Sequence, residues 1–278
     1  MSTLTPRAPR TPAPKDRARA TWAAGDYTRI ADELIPSLGP ALLDALGDVA
    51  GERLLDVAAG DGNVAIPAAL RGARVTASDL VPKLLDAGRI RAEAVGASLD
   101  WIEADAEALP FADASFDVVT SCVGVMFTPD HQLAADELVR VTRAGGRLGI
   151  LNWTPRSFVG RLFSTMSRYL PPAPAGTIPP PAWGDLDHVV DLWGDSVDIV
   201  SATTGTLVTD AFPSRGDFRR FFGAYYGPTV MAFASLAGDE DAMRALVEAI
   251  DDLAEEFTHS DGMHWEYLIV TGRRRAES

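Results

Sequence analysis

Asp56, Gly60, Asp61 and Gly62 stand together in the stretch "LLDVAAGDGN", Leu54 to Asn63. Alternating glycines after an apolar run form a tight turn that lets a ligand approach the backbone. With Ala65 they fit the spacing G-x-G-x-x-G/A of a dinucleotide-binding turn. A pyrophosphate beside Asp56 and Asp61 would, however, set negative charge against negative charge. A ligand carrying an ammonium and a sulfonium, with an adenosine laid along the glycines, is attracted to the same turn.

Further carboxylates follow at the ends of apolar runs. Asp79 closes "RVTASDL", about where a ribose-binding carboxylate belongs, and it could also cap a helix opening at Val81 and Pro82. On the ribose reading, Asp79→Ala weakens ligand binding far more than it shifts the melting temperature. On the capping reading, both suffer equally. Asp105 follows the next run, in "EADAEALPF", and the one after ends in "TSCVGVMFTPDH".

The elements that must position these residues alternate from Arg53 onward. Strand signals "RLLDVA", "RVTASD", "LDWIEAD", "FDVVTSCVGVM" and "RLGILNW" are separated by helical ones, and the strands are short continuous apolar runs. This predicts an α/β, doubly wound, mostly parallel sheet whose ligands bind beyond the carboxyl ends of its strands. Before it, "DYTRIADELIPSLGPALLDALGDVAG" reads as two helices divided by Pro36 and Gly39. The predicted organisation is a disordered tail over 1–20, a ligand-binding core with N-terminal lid helices over 21–153, a helical cap over 154–262 that includes a strand near 198–208, and a closing strand with a basic tail over 263–278.

With these motifs in order, the chain resembles the class I S-adenosylmethionine-dependent methyltransferases, nearest to the subgroup acting on small molecules and quinones. The family's first motif, an acidic residue followed by alternating glycines, falls on Asp56, Ala58, Gly60 and Gly62. Ala58 replaces the commoner glycine, which is tolerable if the backbone there keeps a conventional φ. The resemblance implies a seven-stranded Rossmann-like sheet. It implies that Asp79 meets the ribose, Leu80 the adenine face, and Asp105 with Ala106 the adenine edge. It also implies that backbone oxygen at Ser121 or Cys122 meets the methionine ammonium, with Val123 and Met126 bordering the methyl donor. Trp22 and Tyr27, in "TWAAGDYTRIAD", occupy the place of an aromatic lid, or else simply pack their helices onto the domain. The implied cofactor is S-adenosylmethionine, released as S-adenosylhomocysteine, and the expected reaction is methylation of a small hydrophobic or aromatic metabolite on oxygen. The rival readings are an NAD-dependent oxidoreductase and a noncatalytic protein that keeps the fold.

Methyl transfer demands alignment and dryness more than a dedicated base. Of the histidines, His131 reads as a helix start, His188 as solvated and His259 as a turn residue, leaving His264 beside Trp265 as the weak catalytic candidate. None has metal-ligand spacing. The cap is rich in aromatics, and Met126, Trp153, Phe163 and Tyr226 are candidates for an acceptor pocket, while Phe218, Phe221, Phe222 and Tyr225 recur at helical spacing as core. The net charge of −14 opposes nucleic-acid binding. No apolar run reaches the roughly 18–20 residues of a membrane span, no secretory leader is legible at the N-terminus, and Cys122 is the single cysteine. These features predict a cytoplasmic protein.

Overall fold

The computed structural model describes residues 14–276. Three helices lead in: α1 (Pro14–Ala24), α2 (Tyr27–Glu33) and α3 (Leu38–Leu46). The alternating core follows as β1 (Arg53–Val57), α4 (Ala65–Leu70), β2 (Arg74–Asp79), α5 (Pro82–Ala94), β3 (Asp100–Glu103), β4 (Phe116–Cys122), α6 (His131–Val141) and β5 (Thr142–Trp153). The remaining elements are α7 (Phe158–Ser167), α8 (Leu186–Trp193), β6 (Val197–Thr209), α9 (Asp217–Tyr225), α10 (Gly227–Ser235), α11 (Glu240–Glu256), β7 (Thr258–His259) and β8 (Gly262–Arg274).

The sheet runs β3-β2-β1-β4-β5-β8-β6, with the short β7 pairing only with β8. β3, β2, β1, β4 and β5 are parallel, whereas β8 is antiparallel to both β5 and β6. From β1 the chain first builds outward through β2 and β3, then returns to place β4 on the other side of β1. That reversal opens a crevice at the carboxyl ends of β1 and β4, between Val57 and Cys122. The apolar runs become β-strands because both faces are covered: Leu54, Leu55, Val57, Val118 and Val119 are all buried.

Two expected boundaries are corrected. Residues 14–20 are not a disordered tail but most of α1, anchored by Lys15 to Asp105 and Glu107 and by Arg19 to Glu103. Residues 1–13 lie outside the described residues. The strand assigned to the cap belongs instead to the main sheet, where β6 pairs with β8 from Val197–Arg274 to Thr209–Met263. The cap is therefore two helical excursions, one on each side of β6. Its own core is aromatic: Phe218 stacks on Phe222 one helical turn away, with centroids 4.0 Å apart, and Phe158 stacks on Trp265 at 5.6 Å. Phe218 and Phe222 are thus core, as their spacing predicts, while Phe221 and Tyr225 are only partly buried and face Arg29. Among the described residues no helix is long and apolar enough to cross a membrane.

Candidate functional site

A cleft of about 820 Å³, open to solvent, lies at the crevice. Its floor is the turn after β1, with Ala58, Ala59 and Gly60; one side is Asp79 to Val81 after β2, and Ala104 to Ala106 follow β3. The opposite wall is Cys122 to Gly124 with Phe127, and α1 and α2 close over it with Lys15, Ala18, Trp22 and Tyr27. Of the sequence-derived candidates, Ala58, Gly60, Asp79, Leu80, Asp105, Ala106, Cys122, Tyr27 and Trp22 meet here.

The turn is held in place from below. Asp79 accepts the N–H of Gly60 at Oδ2 (2.8 Å) and the N–H of Val81 at Oδ1 (2.9 Å). Asp79 thus joins the glycine turn to the residue that precedes α5, and it also lines the cleft. Burial pushes its pKa up to about 6 against the opposing pull of those two N–H groups. Gly60 has φ +58°, and a Cβ there would stand 3.4 Å from the Tyr27 ring, so the missing side chain leaves the turn open beneath an aromatic cover.

Asp56 does not reach the cleft. It is buried under the turn, accepting from Thr120 Oγ1 at 3.0 Å and from the N–H of Ala65 at 3.1 Å, and burial lifts its pKa to about 7. Asp61 is also buried and forms an ion pair with Arg91 at 2.8 Å. The carboxylates that sequence reasoning set against a pyrophosphate are thus covered or neutralised. The negative groups that face the cleft are Asp79 and Asp105. Gly62 is likewise structural: at φ +94° its absent Cβ makes room for Trp101 at 2.8 Å.

Ala58 does not keep a conventional φ; it sits at +52°, in the left-handed region, and Val123 across the cleft also has φ +52°. For a β-branched residue this is a true outlier, and both strained positions line the cleft. Gly124 lets the two loops meet, since a Cβ there would lie 2.6 Å from the Ala58 carbonyl oxygen. Ser121 turns its hydroxyl away, donating to the Val57 carbonyl at 2.8 Å and accepting from the N–H of Val125 at 3.0 Å. Cys122 lines the cleft, with its thiol held neutral by burial.

The acceptor candidates separate. Phe163 and Tyr226 stand behind the cleft against Phe127 and Trp22, whereas Met126 is buried in the wall and Trp153 packs on Trp265 in the cap core. His264 is removed from the site: it pairs with Asp261 at 2.8 Å and lines a different surface depression with His259 and Arg156. His188 is half-buried rather than solvated, its Nε2 lying 3.0 Å from Nδ1 of the buried His131. Burial and that neighbour hold the His131 pKa down to about 4. Sequence reasoning missed Lys15, which bridges Asp105 and Glu107 from α1, and Phe127, whose ring lies 4.6 Å from Trp22. Lys15 sat in a basic, proline-rich stretch with no pattern of its own, and Phe127 in a loop whose fold no periodicity fixes.

The site fits S-adenosylmethionine on these observations: an open glycine turn, a buried carboxylate beside it, an apolar flank of Leu80, Val81 and Leu84, and an aromatic cover. A family model described as a methyltransferase domain matches residues 55–150. An uncharacterized protein of Mycobacterium tuberculosis is 46% identical over 274 residues, covering 99% of this chain and 100% of that one. The ubiquinone/menaquinone biosynthesis C-methyltransferase of Roseobacter denitrificans is 42% identical over 118 residues, 41% of this chain and 47% of its own. Among solved structures, the geranyl diphosphate C-methyltransferase of Streptomyces coelicolor, with Mg2+, geranyl diphosphate and S-adenosylhomocysteine, superposes with a TM-score of 0.51 at 17% identity, over 85% of this chain and 78% of that one. From motif, fold and relatives together, the chain belongs to the class I S-adenosylmethionine-dependent methyltransferases, and S-adenosylmethionine is its cofactor.

Proposed function

We propose that the protein transfers the cofactor's methyl group to a hydroxyl oxygen of a small, hydrophobic, ring-bearing acceptor. The observation that carries this is the polarity gradient of the cleft. Its carboxylates, Asp79 and Asp105, lie at the ends of β2 and β3, while Trp22, Tyr27 and Phe127 supply an aromatic side. In this reading Asp79 holds the ribose, Asp105 and Ala106 the adenine edge, and backbone oxygen at Cys122 the methionine ammonium. When bound, the cofactor supplies a methyl carbon already activated by positive sulfur.

The residues at the aromatic side orient the acceptor and exclude water rather than abstract its proton. Tyr27 is held neutral by burial, and so is the Cys122 thiol. An acidic phenol or enol that binds as its anion, its proton already left in bulk water, suits such a site. The net charge of −14 supports a small-molecule acceptor over a nucleic acid. Methylation on ring carbon is the second reading, favoured by the similarity to a quinone-pathway C-methyltransferase over 118 residues. The test is turnover of a panel of hydroxynaphthalenes with isotopically labelled methyl donor. A labelled methoxy resonance supports oxygen transfer, a ring-methyl resonance supports carbon transfer, and no labelled product from the panel counts against this acceptor class.

A further inference from the structure

Four aromatic rings from four separate stretches of chain meet beside the cleft. Trp22 of α1 lies 4.6 Å from Phe127, Phe127 lies 5.7 Å from Phe163 of α7, Phe163 lies 6.3 Å from Tyr226, and Tyr226 lies 5.8 Å from Trp22, all between ring centroids. Trp22 and Phe127 line the cleft, so Phe163 and Tyr226 form the layer directly behind.

Tyr226 is 4% exposed, and its hydroxyl is buried without a hydrogen-bond partner. A phenylalanine would pack the same rings without that cost, because a buried hydroxyl gives up its water bonds and here regains none within the fold. The ring belongs to the neighbourhood of the cleft, packing against the cleft-lining Trp22. Burial also keeps the Tyr226 phenol protonated, hence a donor.

One wall of this ring is carried by α1, which Lys15 ties to Asp105 and Glu107 and Arg19 to Glu103. The same helix, which bears Trp22, meets α10 where Gly227 allows close approach to the Thr21 carbonyl; a Cβ on Gly227 would stand 2.1 Å from that oxygen. Trp22 is the ring that separates Tyr226 from the cleft, so turning it aside would open Tyr226 to a ligand there.

We propose that the ring of Trp22, Phe127, Phe163 and Tyr226 is the acceptor pocket, and that the Tyr226 hydroxyl donates a hydrogen bond to the oxygen of a hydroxylated aromatic acceptor. The proposal rests on the methyltransferase reading above and adds to it a positioning residue and an acceptor class.

The test is calorimetric titration of 1-naphthol and of naphthalene into protein saturated with S-adenosylhomocysteine, for the native chain and for Tyr226→Phe. In the native protein 1-naphthol binds at least tenfold more tightly than naphthalene, about 1.4 kcal/mol at 25 °C. In Tyr226→Phe that preference vanishes while the affinities for naphthalene and S-adenosylhomocysteine stay unchanged, and the melting temperature of the empty protein holds or rises. Retention of the preference in the variant overturns the proposal, as does a lower melting temperature, which would give the hydroxyl a partner within the fold. Failure of 1-naphthol to bind the cofactor-product complex also overturns it. Failure of S-adenosylhomocysteine itself to bind overturns the methyltransferase reading beneath, and the two failures are read separately.

Discussion

The N–H of Gly60 donates to Asp79 Oδ2 at 2.8 Å, joining the glycine turn after β1 to the carboxylate that ends β2. With the second bond, from the N–H of Val81, this side chain holds the cleft floor and the turn that leads into α5 at once. Ligand binding and fold stability therefore cannot be separated at this position. Asp79→Ala should lower affinity for S-adenosylhomocysteine by more than tenfold and also destabilise the empty protein, by about 1–3 kcal/mol for each N–H left unpaired. Calorimetry paired with thermal unfolding checks it. An unchanged melting temperature would show that the two bonds contribute nothing to the fold.

Ala58 carries a methyl group at φ +52°, where an L-residue costs about 1–2 kcal/mol more than in a right-handed conformation. Glycine removes that strain and costs about 0.5–1 kcal/mol in chain entropy. Ala58→Gly should leave stability unchanged or raise it by up to about 1 kcal/mol, with cofactor binding retained. A loss exceeding 1 kcal/mol in chemical denaturation would mean that the methyl's packing near Gly124 outweighs the strain.

Burial raises Asp56 to about 7 and Asp79 to about 6, above the ordinary carboxylate value of 3.8. Between pH 4 and 7 the folded state then binds more protons than the unfolded chain, so stability falls as pH rises through this window. For Asp56 the loss is of the order of a few kcal/mol, at about 1.4 kcal/mol per unit. Asp56→Asn removes this titration, and its oxygen can still accept from the N–H of Ala65. Its melting temperature relative to the native protein should accordingly be higher at pH 8 than at pH 5. The same difference at both values would show that Asp56 is ionised throughout.

Lys15 links α1 to Asp105 and Glu107, and its side chain is 44% exposed. The Glu107 side chain is only 3% exposed but keeps the N–H of Asp130, so Lys15→Ala should lower stability by no more than about 1 kcal/mol. Its effect belongs to the dynamics of the cover: S-adenosylhomocysteine should dissociate several-fold faster in stopped-flow displacement. An unchanged dissociation rate would make α1 a static wall.

The parallel core was legible because its signals are local. Apolar runs such as "RLLDV" state their own burial, and the glycine turn and strand-end carboxylates fall at spacings that backbone geometry requires. Direction of side chains was not legible. Asp56, Asp61, Gly62 and Ser121 all look inward because of partners distant in sequence: Thr120, Arg91, Trp101 and the Val57 carbonyl. The same holds for β6, whose exposed, polar-rich pattern comes from its place at the sheet edge beside β8, a pairing no spacing announces. His264 stands next to Trp265 in sequence, near where an insertion could shape an acceptor pocket, yet alternation along β8 sends the neighbours to opposite faces, Trp265 into the cap core and His264 to Asp261.

The claim on which the rest depends is that the cleft between β1 and β4 takes S-adenosylmethionine. Calorimetric titration of the purified protein with S-adenosylhomocysteine, with NAD in parallel, tests it most directly. The account predicts saturable binding of S-adenosylhomocysteine at one site per chain and no heat from NAD. Binding of NAD alone, or of neither, would contradict it.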